Sequence, residues 1–179
     1  MGKRICFIIV SLVIGLTACG AEDDTLEILF FTEELSALTT EEQVSEAVQK
    51  MVPELTNEDF SITFHAAMIE KFSLEIAAQQ GDIIFADEHF LEATMESAGI
   101  HPLDEILQGT SDIPEELYQQ QNPSTGELKY YAIPMTENMT VVKNLDVELV
   151  ETISTFIPAY TNHKELSMEV LEKLIEQRS

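Results

Sequence analysis

The sequence predicts an α/β fold: one three-layer lobe with helices on both faces of a mainly parallel sheet. Three observations lead there. Compact apolar runs of strand length occur at Leu26–Thr32 (LEILFFT), Phe60–Phe64 (FSITF) and Ile83–Ala86. Between them lie segments whose apolar residues recur every three or four positions, as on one face of a helix. Strands alternating with helices pair in parallel through right-handed crossovers, which place the helices on the faces of the sheet.

The elements follow in order. Thr39 and Glu42 have capping-box spacing, and Val44, Ala47, Val48 and Met51 share one helical face that Pro53 closes. A helix is expected over Met68–Gln80, with Ile69, Phe72, Ile76 and Ala77 inward and Gly81 as its C-terminal cap. Asp87 can cap the next helix, whose buried stripe is Leu91, Met95 and Ala98 and which Gly99 ends. Ile100–Leu107 reads as a loop or short helix, Ile113–Gln121 as a helix starting from Asp112, and Asn122–Glu127 as a turn. Lys129–Ile133 is expected as a fourth strand, with Thr140–Val142 and Ile153–Pro158 as further strand pieces. A closing amphipathic helix begins near Asn162 and turns Leu166, Val170, Leu171 and Leu174 inward.

The chain starts differently. Lys3 and Arg4 precede an apolar run, Ile5–Leu16, broken only by Cys6, Ser11 and Gly15, with no acidic residue before Glu22. That is the layout of a secretory signal peptide, and the run falls short of the ~20 apolar residues that span a bilayer. It ends in Leu16-Thr17-Ala18-Cys19, which resembles the bacterial lipobox. The resemblance implies cleavage before Cys19, lipidation of that cysteine, and a place on the extracytoplasmic face of the cell membrane. The expected division is then a lipoprotein signal peptide over 1–18, a lipid-anchored tether over 19–25 and the α/β lobe over 26–179. Two acyl chains anchor stably where one is marginal. With Cys6 removed, Cys19 is the one remaining cysteine, so disulfides, thiol catalysis and cysteine-ligated metals are not expected.

The full chain carries 33 acidic and 9 basic residues. Two of the basic ones, Lys3 and Arg4, lie in the signal segment, so the rest is more acidic still. Such a field repels nucleic acid and anionic lipid. It favours a cation or a basic protein surface, and it equally serves to keep a surface-exposed domain in solution.

Phe60–Leu103 has a recognisable layout: strand, helix, Asp82-Ile83-Ile84-Phe85-Ala86-Asp87, helix, then Gly99-Ile100-His101-Pro102-Leu103-Asp104. It resembles the first lobe of the extracellular solute-binding proteins of ABC importers. Gly126–Pro134 (GELKYYAIP) is similar to the segment before that family's chain crosses to its second lobe, and Phe156–Glu176 to the strand and helix by which it returns. Only 45 residues follow Pro134. The resemblance therefore implies a periplasmic-binding-protein-like lobe without its companion, its ends rejoined through Thr136–Thr155. The implied role is solute binding linked to ABC-type uptake or sensing, with a small solute or cation as ligand and an ABC permease or envelope protein as partner. The alternative is an envelope interaction module that captures no small molecule.

In an open parallel sheet, ligands gather beyond the carboxyl ends of the strands. The candidates there are Glu33, His65, Asp87 and Glu88, with Pro134-Met135 at the fourth strand end. Each has a plainer role open to it: Asp87 as a helix cap, Glu33 and Glu88 as solvated acids, His65 as a hydrogen-bonded structural histidine. His89, Glu92 and Glu96 share one expected helix face, with His101 just beyond. In so acidic a chain that coincidence is ordinary, and no metal site or cofactor is expected. No serine–histidine–acid order, Walker loop or dinucleotide glycine pattern occurs, so catalysis is not expected.

Overall fold

The computed structural model describes residues 25–56, 58–91, 94, 99–107, 118–122 and 124–176. The expected signal peptide, Cys19 and nearly all of the tether lie outside the described residues. So do Met95, Ala98, Glu92, Glu96 and the first part of the expected 113–121 helix.

The strands are β1 (Leu26–Phe31), β2 (Phe60–Phe64), β3 (Ile83–Asp87), β4 (Gln119–Gln121), β5 (Leu128–Tyr130), β6 (Ile133–Pro134) and β7 (Ile153–Phe156). The helices are α1 (Glu33–Leu38), α2 (Glu41–Met51), α3 (Ile69–Ala77), α4 (Thr140–Leu145) and α5 (Lys164–Ile175). Five strands form one sheet in the order β2-β1-β3-β7-β6, and β4 pairs with β5 in a separate hairpin.

The fold is α/β, with a mixed sheet where a mainly parallel one was expected. β1 pairs in parallel with β2 and β3, but β7 runs antiparallel to both β3 and β6. The connection from β6 to β7 runs over residues 135–152 and contains the six-residue α4; it turns back on itself and makes no crossover. Met135 instead donates its N–H to the Ile153 carbonyl at 2.7 Å, so the chain re-enters the sheet beside the point where it left.

Alternating residues serve two cores. Ile28, Phe30, Ile83 and Phe85 face α2 and α5 with Val44, Val48, Val170 and Leu171, while Leu29, Phe31, Ile84 and Ala86 face α3 with Phe72 and Ile76. Helices thus cover both faces, as the strand–helix alternation requires. Phe30 and Phe85 stack across neighbouring strands with ring centroids 4.6 Å apart.

Several local expectations change. Thr140–Val142 is helical, although two valines and a threonine favour strands. All three are buried, and the Glu176 carbonyl at the end of α5 accepts both the N–H and the hydroxyl of Thr140. Packing overrides propensity there. The expected Lys129–Ile133 strand is split, because the chain leaves the hairpin after Tyr130 and enters the main sheet at Ile133. Gln119–Gln121 is strand, not helix, because the Asn122–Glu127 turn closes it against β5, with Asn122 N–H on the Glu127 carbonyl at 2.7 Å.

The helix preceding β3 ends earlier than expected. Gln79 takes the left-handed conformation at φ 58°, and its N–H and that of Gln80 bond the Ile76 and Glu75 carbonyls, the paired bonds of a Schellman cap. Gly81, at φ +86°, answers a different need: a Cβ there would lie 2.7 Å from Leu29 Cδ1. On α3 itself Ile69 and Ala77 are exposed, leaving Phe72 and Ile76 as the buried pair.

Candidate functional site

The carboxyl ends of β1, β2 and β3 lie along one margin of the sheet. Phe31 of β1 is in register with Ala86 of β3, so the next residues, Thr32 and Asp87, fall at neighbouring positions. Thr32 is fully buried and caps α1, its hydroxyl accepting the Leu35 N–H at 3.4 Å. Glu33 follows in the first helical turn and is exposed.

Asp87 does not make the expected cap. It is the last residue of β3, only 7% exposed, and its side chain bonds no N–H of the short 3-10 turn Glu88–Phe90 that follows. Oδ1 is buried with no partner among the described residues. Burial pushes the Asp87 carboxyl above its ordinary range, and the Glu33 carboxylate adds to this; the Thr32 hydroxyl, the His89 ring and the Glu33 N–H work the other way. Glu88 is half-buried and ties the edge to the next segment through its N–H, 3.1 Å from the Thr152 carbonyl.

His65 belongs to the same margin but not to the same group. Its N–H extends the β2 ladder to the Phe30 carbonyl at 2.8 Å, and its ring lies 4.9 Å from that of Phe31. Burial lowers its pKa, helped by Lys71, with Glu75, Glu41 and Glu27 opposing. β1 intervenes between it and β3, a separation of about 10 Å for two strand spacings. The structure thus brings Glu33, Asp87 and Glu88 together around Thr32 and leaves His65 apart, packed on an aromatic ring. At the fourth strand end, Pro134 and Met135 are buried.

Sequence reasoning missed Glu34. Its carboxylate accepts the N–H groups of Val150 and Glu151, at 2.6 and 2.8 Å, and so holds the approach to β7 against the edge. Nothing distinguishes this residue in an acidic run. Also missed was a cluster at the opposite end of the sheet: Asp82 accepts from Glu27 N–H at 2.8 Å, contacts His163 Nδ1 at 3.1 Å, and receives the Thr161 hydroxyl. Asp82 stood out only as the first residue of the DIIFAD run.

His89 and His101 lie at opposite ends of the sheet. His89 packs on Phe90 beside the Asp87 edge, whereas His101 bonds the Ile157 carbonyl beyond the far end of β7. Among the described residues, no three His, Cys, Asp or Glu side chains are grouped to hold a metal ion. No helix among them is long and apolar enough to cross a membrane.

No family model and no solved structure matches this chain. It is similar to the Bacillus subtilis (strain 168) protein named "Putative lipoprotein YteS", 22% identical over 182 residues, which covers 99% of this chain and 100% of that one.

Proposed function

We propose that this chain is a lipoprotein held by Cys19 on the extracytoplasmic face of the cell membrane, where its single solute-binding-like lobe serves ABC-type uptake or sensing. The similarity to a protein named as a lipoprotein supports the anchor, and it runs through the signal-like start as well as the lobe. The observation that carries the lobe reading is the adjacency of β6 and β7. In the resemblance, Gly126–Pro134, which holds β6, leads out toward a second lobe, Thr136–Thr155 rejoins the ends, and the return begins at Phe156, the last residue of β7. Finding β6 and β7 side by side, joined through α4, is what a direct rejoining requires.

The working surface in this reading is the carboxyl edge around Glu33, Asp87 and Glu88. Without a second lobe to close over it, binding there is shallow and favours cationic groups. Catalysis has no part in this role, and neither does nucleic acid.

The test of the anchor is metabolic labelling of the full chain with an alkyne-bearing palmitate in a bacterial host. The wild type takes up label and Cys19→Ala does not; equal labelling of both removes the anchor. The edge is tested by thermal shift of the full chain against small cationic and neutral solutes, since site-specific binding raises the midpoint by mass action. A shift that Glu88→Gln abolishes supports the role, and no shift with any solute counts against it.

A specific observation favours the second reading, a protein-docking module. Leu38 on α1, Met68 and Ile69 at the start of α3, and Val150 before β7 are exposed by 50, 52, 46 and 89%, and all four flank this same edge. Cross-linking in intact membranes separates the two, a stoichiometric protein partner lost in Val150→Asp being the result that selects docking.

A further inference from the structure

We propose a second binding site, for a small uncharged solute rich in hydroxyl groups, in the cavity between the β4–β5 hairpin and the Gly99–Pro102 segment. The cavity has a volume of about 280 Å³, just below the ~300–1,000 Å³ usual for ligand pockets. It lies far from the Asp87 edge. Ile100 bridges Pro158, two residues past the end of β7, and β7 runs against β3, so this is the end where β1 and β3 begin.

The lining is chemically unlike the rest of the surface. In a chain with 33 acidic residues, not one of the described residues lining the cavity is charged. Gln120, Gln121, Asn122 and Ser124 supply the polar groups, and Pro102 and the buried Tyr131 supply apolar surface. Asn122 is fixed in place: its Oδ1 accepts the N–H groups of Ser124 and Thr125 at 2.9 and 3.2 Å. Its amide N–H groups remain as donors. Among the described residues no hydrogen bond engages the side-chain amides of Gln120 or Gln121.

That lining decides the ligand class. A primary amide presents an acceptor and two donors side by side without charge, and adjacent hydroxyls on one molecule present the matching pair. Among the described residues of the lining an anion would find no cation and an ammonium group no carboxylate, so each would be desolvated without compensation. The C–H face of a cyclic polyol fits the apolar surface of Pro102 and Tyr131. Polar groups placed beside apolar surface in a concave site orient small ligands.

The experiment is calorimetric titration of the detergent-solubilised full chain with maltose, cellobiose and sucrose, and with glucuronate and putrescine as charged counterparts. Saturable heat is expected with at least one uncharged probe and with neither charged one. The Gln120→Ala/Gln121→Ala double variant is expected to bind about tenfold more weakly, as loss of one or two amide hydrogen bonds implies. Gln121→Glu, nearly the same shape but charged, is expected to weaken binding while keeping the wild-type melt. Glu172→Gln, exposed on α5 and part of neither site, leaves it unchanged. Absence of saturable binding by all three uncharged probes, binding undiminished in the hairpin variants, or preference for a charged probe overturns the proposal.

Discussion

Glu34 and Val150 are 116 positions apart in the sequence and joined by a hydrogen bond of 2.6 Å, from the Val150 N–H to Glu34 Oε1. The other carboxylate oxygen takes the next N–H, that of Glu151. One side chain on a six-residue helix thereby sets the path of the segment that enters β7. Glu34→Ala is expected to cost about 1 kcal/mol, the net worth of such bonds at a partly exposed site, and to raise hydrogen exchange at Val150 and Glu151 above that of β7. Unchanged exchange at those two amides would show that the segment is held by other means.

Asp87 gives a pH signature. Its folded-state pKa is raised by burial, so the native state binds the proton more tightly than the unfolded chain does. This group therefore favours folding at acid pH, below its unfolded value, and that contribution is lost as pH rises through the raised folded value. Asp87→Asn removes the penalty of the buried charge. Urea melts should find the variant more stable than wild type at neutral pH, with the difference shrinking toward pH 4. A difference that does not change with pH would exclude the carboxyl as its source.

The Asp82 cluster joins the start of β3 to the segment leading into α5. Three donors converge on one carboxylate, and alongside it the Tyr160 hydroxyl donates to the Gln80 carbonyl at 2.6 Å. Burial, with Asp82 and two glutamates nearby, pushes the Tyr160 phenol well above its usual range, so it stays a donor at any physiological pH. Asp82→Ala should cost roughly 2 kcal/mol by leaving three partly buried donors without their acceptor. Tyr160→Phe should cost about 1 kcal/mol. Equilibrium denaturation measures both, and equal effects would contradict the hub placed at Asp82.

Gly81→Ala combines a left-handed backbone with a collision against Leu29 of β1. A loss of about 2 kcal/mol is expected from the backbone alone, with more from displacement of Leu29. The Gly81→Ala/Leu29→Ala pair should restore part of the first cost but add a cavity penalty, so the two changes will not add.

The first half of the lobe was legible in the sequence. β1, α2, β2, α3 and β3 all stand where apolar runs and helical spacing put them, since strands covered on both faces leave continuous apolar words such as LEILFFT. Legibility fell after Asp87. Thr140–Val142 carries three β-branched residues, and only the carbonyl of Glu176, distant in sequence, makes a helix the better choice. β7 is as fully buried as the parallel β3, and direction leaves no mark on composition. At the edge, Glu33, Asp87 and Glu88 could be found from strand ends, but a strand end does not say which neighbour it has. His65 was separated from them by strand order, and Glu34 was hidden because its partners are backbone groups, which any residue supplies.

β1 is an inner strand of the sheet and six residues long, so its two ends lie about 20 Å apart. A lipid on Cys19 would grip the molecule close to where β1 starts. Under the anchor proposed above, the hairpin amides lie at the sheet end where β1 starts, and Glu33 and Glu88 at the other. The order of the strands would thus give the protein a top and a bottom.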